Sequence, residues 1–370
     1  MKSRLNLGDS YKAALVRIKA LGEEKTRLGM GVLMWISHSR RPLQVDEICH
    51  AVGIRVGSND LDNNDIPEIS TLIGCCQGLI TIDRDTSTIR LINFTLQEYL
   101  CAHPNLFDRA HSTMAETCLT YLNFKHVKAL SAGTFTDPQA TPFLEYSSLY
   151  WGTHMRMGPS ARSREFALQL LGQFDGHISA KLLWKSINGE LPLDCDTGDK
   201  PFSALHCVSY FGIAEVINAL IEINRWDVNE TDGAGVTPLI WAARYGHEEA
   251  VRLLLQKKDI QPDQQDGNYD RTALSWAAGN GHERIVRLLL GRKDVNPNNS
   301  SKSGRTPLSW AAENGREGVV ELLLGPGDVN PNSLDRNGRP PISYAAAGGH
   351  GGVVKLLVES PNIDRFQFIG

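Results

Sequence analysis

The sequence predicts a mostly α-helical protein in three parts: a small N-terminal domain of helices with a β-hairpin, a helical connector, and a solenoid of stacked helix pairs. Two observations predict this fold class. Apolar residues recur at helical spacing up to about residue 125, with two short strand-like runs among them. A six-residue phrase then recurs every 34 or 35 residues through the C-terminal half. We place the three parts at 1–125, 126–200 and 201–370.

The N-terminal domain begins with helices. Apolar residues at helical spacing predict two amphipathic helices, around 11–18 and 28–36, and a shorter third helix from Val45 to Val52. A polar segment at 57–65 separates these from a fourth predicted helix, Ile66 to Gln77.

A β-hairpin follows the fourth helix. Two runs rich in β-branched residues, Leu79 to Asp83 and Thr88 to Ile92, flank the polar turn Arg84 to Ser87. Helices followed by a two-stranded hairpin are the order of a winged helix, a fold that often binds DNA.

The composition of the fourth predicted helix argues against binding to DNA. It contains no Lys or Arg, and Asp60, Asp62 and Asp65 precede it. A helix that reads DNA needs cations for the phosphates and polar side chains for the bases. We therefore favour an interaction with protein, and keep a nucleic-acid-binding regulator acting through the winged helix as the alternative.

The connector is predicted to be a compact helical bridge. Thr141 and Pro142 are placed to open a helix that runs through Trp151. Apolar residues from Phe166 to Phe174 mark a second helix.

The repeated six-residue phrase predicts a short helix, which occurs four times. Thr237, Thr272 and Thr306 stand where they can cap it, and a glycine ends each copy, as at Gly246. An aliphatic run that predicts a second helix follows each glycine. The four copies are Pro238–Ala243, Ala273–Ala278, Pro307–Ala312 and Pro341–Ala346.

These residues carry a family resemblance. Thr306 to Gly315 resembles an ankyrin repeat, and a more divergent unit is visible from Ala204 to Ile221. About five units are therefore expected over roughly 201–364. The resemblance implies a surface that binds a protein partner rather than a catalytic site.

Trp241, Trp276 and Trp310 occupy one position in successive units and invite two interpretations. They could form a binding ladder, but the same position in ankyrin-like units usually packs between neighbouring repeats, and we favour packing. His206 lies where ankyrin repeats often carry a histidine that hydrogen-bonds between units. We favour that role over a catalytic or metal-binding one.

The positions that vary between units are the candidates for contact with a partner. By resemblance they are the tips of the hairpin fingers and the residues before each helix-ending glycine. Arg271, Arg305 and Arg339 are spaced 34 residues apart and should form a basic stripe. That stripe would suit an acidic partner surface, or would serve only solubility; the sequence leaves both open. The candidates are Val236, Arg244, Tyr245, Tyr269, Arg271, Lys302, Arg305, Glu313, Asn314, Arg336 and Arg339.

A second resemblance covers the N-terminal part. Trp35–His38, Cys75–Thr81 and Phe94–Leu100 resemble the winged-helix segment of fungal NACHT-ankyrin proteins, which are nucleotide-switched signalling proteins of the STAND class. Related winged helices carry the name of a GPI inositol-deacylase. The resemblance extends to Cys118–Leu122 and Pro142–Gly152. It implies that the array senses a partner and that the winged helix relays this event to a switch module.

The sequence departs from that family in one respect. It contains no Gly-x-x-x-x-Gly-Lys-Ser/Thr loop, and Gly29-Met30-Gly31 lacks the lysine that phosphates need. Gly158–Arg162 fails the Gly-x-Ser-x-Gly pattern of a serine hydrolase at its last position. We therefore expect no enzymatic activity and no cofactor. The chain would then be the C-terminal part of a larger protein or a relative that has lost its NTPase.

Composition excludes several classes of partner. The net charge is −4 and the pI about 6.3, so bulk attraction to nucleic acid or an anionic membrane is not indicated. No apolar run reaches the 18 residues of a membrane span. The seven cysteines show no paired Cys-x-x-Cys motifs, which argues against a zinc site. We expect an intracellular protein of the cytoplasm or nucleus, and the oligomeric state is left open.

Overall fold

The computed structural model divides the chain into two compact units, Met1–Leu193 and Asp194–Gly370. Each unit is described by itself below, and the predicted part boundaries at 125 and 200 stay predictions. The residues that the structure describes are 7–130, 141–189, 202–223, 226–325 and 327–364.

The first unit contains ten helices and three short strands within the described residues. The strands are β1 (Leu43–Gln44), β2 (Ile80–Asp83) and β3 (Thr88–Leu91). The helices are α1 (Leu7–Lys19), α2 (Glu23–His38), α3 (Val45–Gly53), α4 (Ile69–Cys75), α5 (Phe94–Ala102), α6 (Ala110–Leu122), α7 (Lys125–Lys128), α8 (Leu144–Met157), α9 (Ala161–Leu171) and α10 (Ile178–Asn188).

The predicted hairpin is confirmed, and it belongs to a three-stranded antiparallel sheet in the order β1-β3-β2. Ile82 lies opposite Ile89, which also pairs with Leu43 of β1. The sequence did not indicate β1, because two residues are too few to show the alternation by which a strand is recognised. This sheet and α1 to α4 form the winged-helix part of the first unit.

The fourth predicted helix is shorter than the sequence suggested. It begins at Ile69, after a turn of 3₁₀ helix at Asn63–Asp65 and after Pro67, which disfavours helical backbone in the residue before it. It ends at Cys75, and Gln77 and Gly78 then adopt left-handed φ angles of 50° and 79°. The predicted limits of 66 and 77 were therefore wrong at both ends.

The connector helices pack into the same unit. Helix α8 starts at Leu144 and runs to Met157, so the helix predicted from Thr141 begins later and is longer. The second predicted helix is α9, which Ser160 caps by accepting from the N–H of Ser163 at 3.0 Å. Helix α10 was not predicted. Helix α6 packs against α8 and α9, and α8 also packs against α10.

Over its described residues, the second unit is a row of five helix pairs in which first helices pack on first helices and second helices on second helices. Ala242, Ala277, Ala311 and Ala345 are fully buried between neighbouring pairs, which explains the repeated alanines. The pairs are α11 (Ala204–Phe211) with α12 (Ala214–Ile223), α13 (Pro238–Arg244) with α14 (Glu248–Leu255), α15 (Ala273–Asn280) with α16 (Glu283–Leu290), α17 (Pro307–Glu313) with α18 (Glu317–Leu324), and α19 (Pro341–Ala347) with α20 (Gly351–Glu359).

The predicted caps and stops of the repeat are confirmed. Thr237 and Thr272 accept from the N–H groups of Ile240 and Ser275 at 3.2 Å each. Gly246 ends α13 with a φ of 77°. A Cβ there would lie 2.7 Å from the ring of His282 in the next pair, so glycine is required for both conformation and packing.

No helix in the described part of the chain combines the length and the apolar character needed to cross a lipid bilayer.

Candidate protein-interaction surface

A turn precedes each of the helices α13, α15, α17 and α19, and we call these turns fingers 1 to 4. They comprise residues 232–236, 266–271, 301–305 and 335–339. Backbone hydrogen bonds join neighbouring fingers: Gly267 donates to Ala234 at 3.0 Å, Lys302 to Tyr269 at 2.8 Å, and Arg336 to Ser303 at 3.0 Å. The fingers therefore form one continuous surface.

A buried aspartate holds the base of three fingers. Asp232 accepts from the indole N–H of Trp241 at 2.8 Å, and Asp266 accepts from that of Trp276 at 2.7 Å. In finger 4, Asp335 accepts from the hydroxyl of Tyr344. Burial raises the pKa of Asp232 to about 6. These bonds satisfy the polar edge of each ring inside the protein.

Arginines and aromatic rings alternate along the first helices and fingers. The guanidinium of Arg271 lies between two rings, 3.8 Å from the centre of Trp276 and 4.0 Å from that of Trp310. Arg305 lies 4.8 Å from Trp310 and 4.2 Å from Tyr344. These are cation–π distances. We call this row the arginine–aromatic ladder; its members are Trp241, Arg244, Trp276, Arg271, Trp310, Arg305, Tyr344 and Arg339.

The expected stripe of three arginines is not a row of free cations. Arg271 is only 7% exposed, and its side chain donates to the carbonyl of Ser275 at 2.6 Å. Arg305 pairs with Glu313 at 2.8 Å. Arg339, whose side chain is half exposed, pairs with Asp335 at 3.2 Å. The expectation of exposure is thus wrong for Arg271, because the aromatic rings on either side enclose it.

The other candidates fall into three classes of exposure. Val236 is buried at the end of finger 1, where its N–H donates to Asp232 at 2.9 Å. Arg244, Arg305 and Glu313 are partly exposed. The remaining exposed candidates are Tyr245, Tyr269, Lys302, Asn314, Arg336 and Arg339. A contact surface can use the exposed class directly.

Two family models match the chain. The ankyrin-repeat model matches three times, at 174–266, 261–333 and 293–367, and these matches together span more than half of the 370 residues. The chain belongs to the ankyrin-repeat family. The model of the GPI inositol-deacylase winged helix domain matches residues 17–116, upstream of the ankyrin repeats. No curated protein matches this chain.

Histidine side chains form hydrogen bonds between successive ankyrin repeats. His247, His282 and His350 each place Nε2 against a backbone carbonyl of the preceding first helix, at 2.8, 3.1 and 2.9 Å. His206 places Nε2 3.0 Å from the carbonyl of Glu230, and burial lowers its pKa to about 4. The predicted hydrogen-bonding role of His206 is confirmed.

An asparagine clamp, which the sequence analysis missed, joins the turns after the second helices of the ankyrin repeats. The side chain of Asn298 donates to the carbonyl of Asp328 at 2.7 Å and accepts from the N–H of Asn330 at 2.8 Å. Asn229 and Asn332 make the same two bonds with the following repeats. The spacing of these asparagines was the available signal, since Asn298 and Asn332 lie 34 residues apart.

Helix α4 presents no positive charge where a DNA-reading helix would contact DNA. The exposed side chains of α4 and its end, Ser70, Thr71, Ile73 and Gln77, are all uncharged. On the hairpin, Arg90 pairs with Asp83 at 3.0 Å. Phosphate binding depends on Lys and Arg that are free to meet the backbone. The geometry therefore does not favour a DNA-reading helix at α4.

Within the described residues, no group of three His, Cys, Asp or Glu side chains is placed to hold a metal ion.

Proposed function

We propose that this chain is a non-enzymatic interaction protein whose ankyrin array binds a protein partner through the fingers and the ends of the first helices. Ankyrin repeats imply protein partners in general. The winged helix relays the binding event to a signalling switch module. Binding proceeds by shape and charge complementarity, without a covalent step.

The observation that supports the proposal is a division among the residues of the array: one set holds the repeats together, and another set is exposed to solvent. The linking histidines and the clamp asparagines use their polar groups within the array, whereas six candidate residues remain exposed on the joined fingers and helix ends. Tyr245 and Tyr269 are 41% and 57% exposed, far more than most aromatic residues of this chain. Exposed tyrosines are typical anchors of protein interfaces.

The exposed residues differ in character along the array. Tyr245 and Tyr269 lie on the second and third repeats, whereas Lys302 and Arg336 lie on fingers 3 and 4. The partner therefore places an acidic segment against fingers 3 and 4 and apolar groups against the two tyrosines. The acidic character assigned to the partner now rests on Lys302, Arg336 and Arg339 rather than on Arg271.

The relay to a switch module rests on the winged-helix match and on the resemblance to NACHT-ankyrin proteins. The alternative, a nucleic-acid-binding regulator, has less support because α4 exposes no cation. The two functions respond differently to charge reversal on the fingers, which separates them experimentally.

A comparison of two charge-reversed baits tests the proposal. The finger variant carries Lys302→Glu and Arg336→Glu, and the control carries Arg284→Glu and Arg287→Glu on the exposed face of α16. Both change the net charge by the same amount, so bulk electrostatics is matched. Each bait is immobilised and exposed to lysate of the source cells, and bound proteins are quantified by mass spectrometry.

We expect one or more proteins to bind the parent and the control and to be lost from the finger variant. Identical protein profiles for all three baits would contradict the proposed surface. A salt-sensitive shift of labelled duplex DNA that the finger variant retains would support the nucleic-acid alternative instead.

A further inference from the structure

Fingers 1, 3 and 4 share one backbone turn. In finger 3 the N–H of Ser301 donates to the carbonyl of Arg305 at 2.9 Å, and that of Gly304 donates to the carbonyl of Ser301 at 2.7 Å. Asp232 and Asp335 begin fingers 1 and 4 with the same two bonds, at 2.8 to 3.1 Å. The three turns therefore differ in side chains and not in backbone.

In fingers 1 and 4 this turn encloses a carboxylate. Oδ1 of Asp335 accepts from the N–H groups two and four residues later, Asn337 and Arg339, at 2.8 Å each. Asp232 does the same with Ala234 and Val236, at 3.0 and 2.9 Å. The second carboxylate oxygen, Oδ2, accepts a hydrogen bond from the aromatic side chain that follows, Trp241 in finger 1 and Tyr344 in finger 4. The turn and its ring thus form a nest for a singly charged anion.

Finger 3 has the nest without a carboxylate of its own. Ser301 stands at the aspartate position and is buried, with its Oγ 3.0 Å from Oγ of Ser303. The indole N–H of Trp310 is buried and has no hydrogen-bond acceptor in the described residues. Buried donors without an acceptor are costly, so this N–H needs one.

Two guanidinium groups flank the ring of Trp310. The guanidinium groups of Arg271 and Arg305 lie over the ring at 4.0 and 4.8 Å. Nε of Arg271 is also buried without an acceptor in the described part of the chain. The carboxylate of Glu313 is already paired with Arg305. Finger 3 therefore combines buried donors that lack an acceptor with the charge of Arg271, which forms no salt bridge among the described residues.

We propose that finger 3 binds a small monovalent anion of the size of chloride or formate, in the place that Asp232 and Asp335 fill in their own fingers. The donors are the indole N–H of Trp310, the hydroxyl of Ser301 and the N–H groups two and four residues after it, at Ser303 and Arg305. The side chain of Ser303, which lies at the exposed end of the turn, rotates away from Ser301 to admit the ion.

Thermal unfolding in two sodium salts of equal ionic strength tests the site. The melting temperature of the parent should be about 2–4 °C higher in 0.15 M chloride than in the same concentration of gluconate. This is the shift expected for a chloride site with a dissociation constant of about 30 mM. Ser301→Asp supplies the missing carboxylate and should remove the difference between the salts. Ser303→Ala leaves the donors in place and should keep it.

Crystals soaked in bromide provide a second readout that does not depend on the stability of any variant. An anomalous peak within hydrogen-bond distance of Nε1 of Trp310 is expected in the parent. Equal melting temperatures in the two salts, together with no bromide peak at Trp310, would overturn the proposal. The indole N–H of Trp310 would then donate to a water molecule. A salt difference that persists in Ser301→Asp would place the anion elsewhere and would equally overturn it. Neither outcome bears on partner binding by the array.

Discussion

The guanidinium of Arg271 lies 3.8 Å from the centre of the Trp276 ring, and the side chain is almost completely buried there. Since Trp310 covers the opposite face, the arginine is part of the array's interior. Burial lowers its pKa to about 10, still far above neutrality, so the cation persists. The ladder of tryptophans thus serves packing, and the arginines between the rings share that role.

Replacing Arg271 by alanine should destabilise the array more than the same change on a finger tip. Arg271→Ala removes stacking on two rings and leaves a cavity, so we expect a loss of about 2 kcal/mol in the free energy of unfolding. Arg336→Ala, at an exposed tip, should change it by less than about 0.5 kcal/mol. Urea unfolding of both variants followed by circular dichroism measures the difference. Equal stabilities would contradict a structural role for Arg271.

Replacing Asp263 by asparagine should stabilise the array. Asp263 takes the place of the clamp asparagine and accepts from the N–H of Asn296 at 2.7 Å, and the side chain of Asn299 also stabilises its charge. Its Oδ1 is nevertheless buried, and no described residue donates a well-formed hydrogen bond to it. The amide of Asp263→Asn could donate as Asn229 and Asn298 do. We expect a gain of about 1 kcal/mol at pH 7.

The pH dependence of that gain provides the check. Burial raises the pKa of Asp263, so the folded state holds its proton at a higher pH than the unfolded state, and the parent loses stability as the pH rises through the two values. The advantage of Asp263→Asn should therefore be larger at pH 7 than at pH 3.5. A gain that is independent of pH would show that the carboxylate carries no burial penalty.

Mild acid should destabilise the first unit through buried histidines. His177 places Nε2 3.0 Å from the carbonyl of Leu122, and burial lowers its pKa to about 4. A depressed histidine pKa gives stability that is complete above about pH 6.5 and is lost as the pH falls toward the folded value. Between pH 7 and pH 5 this one residue should cost about 2 kcal/mol.

The variant His177→Gln isolates that contribution. It should be less stable than the parent at pH 7, because hydrogen bonds are lost, yet its stability should fall by about 2 kcal/mol less between pH 7 and pH 5. Hydrogen exchange of the α6 and α10 amides at the two pH values would report the difference locally. The same pH dependence in both proteins would exclude His177 as a source of acid sensitivity.

The repeat was predictable because several residue types agree at fixed positions. Thr237 caps the first helix, Gly246 ends it, and the paired alanines are buried. Each of these roles follows from the chemistry of the single residue concerned. The length of α4 was less predictable, because Pro67 and the left-handed Gln77 shortened an otherwise helical pattern.

The candidate surface was predictable in position but not in orientation. Spacing placed Arg271, Arg305 and Arg339 in equivalent turns, yet it carries no information on whether a long side chain extends to solvent or folds over a ring. The tryptophan at the next unit draws Arg271 inward, whereas Arg336 has no such neighbour among the rings described and stays exposed. Ser301 was visible as the one departure from aspartate, but its consequence for Trp310 requires the fold.

Hydrogen–deuterium exchange of the array with and without a captured partner tests most directly the claim that the fingers bind protein. We expect slower exchange at the amides of Tyr269, Lys302 and Arg336 and of the residues around them, with α16 and α18 unchanged. Protection confined to the second helices, with exchange in the fingers unaltered, would contradict it.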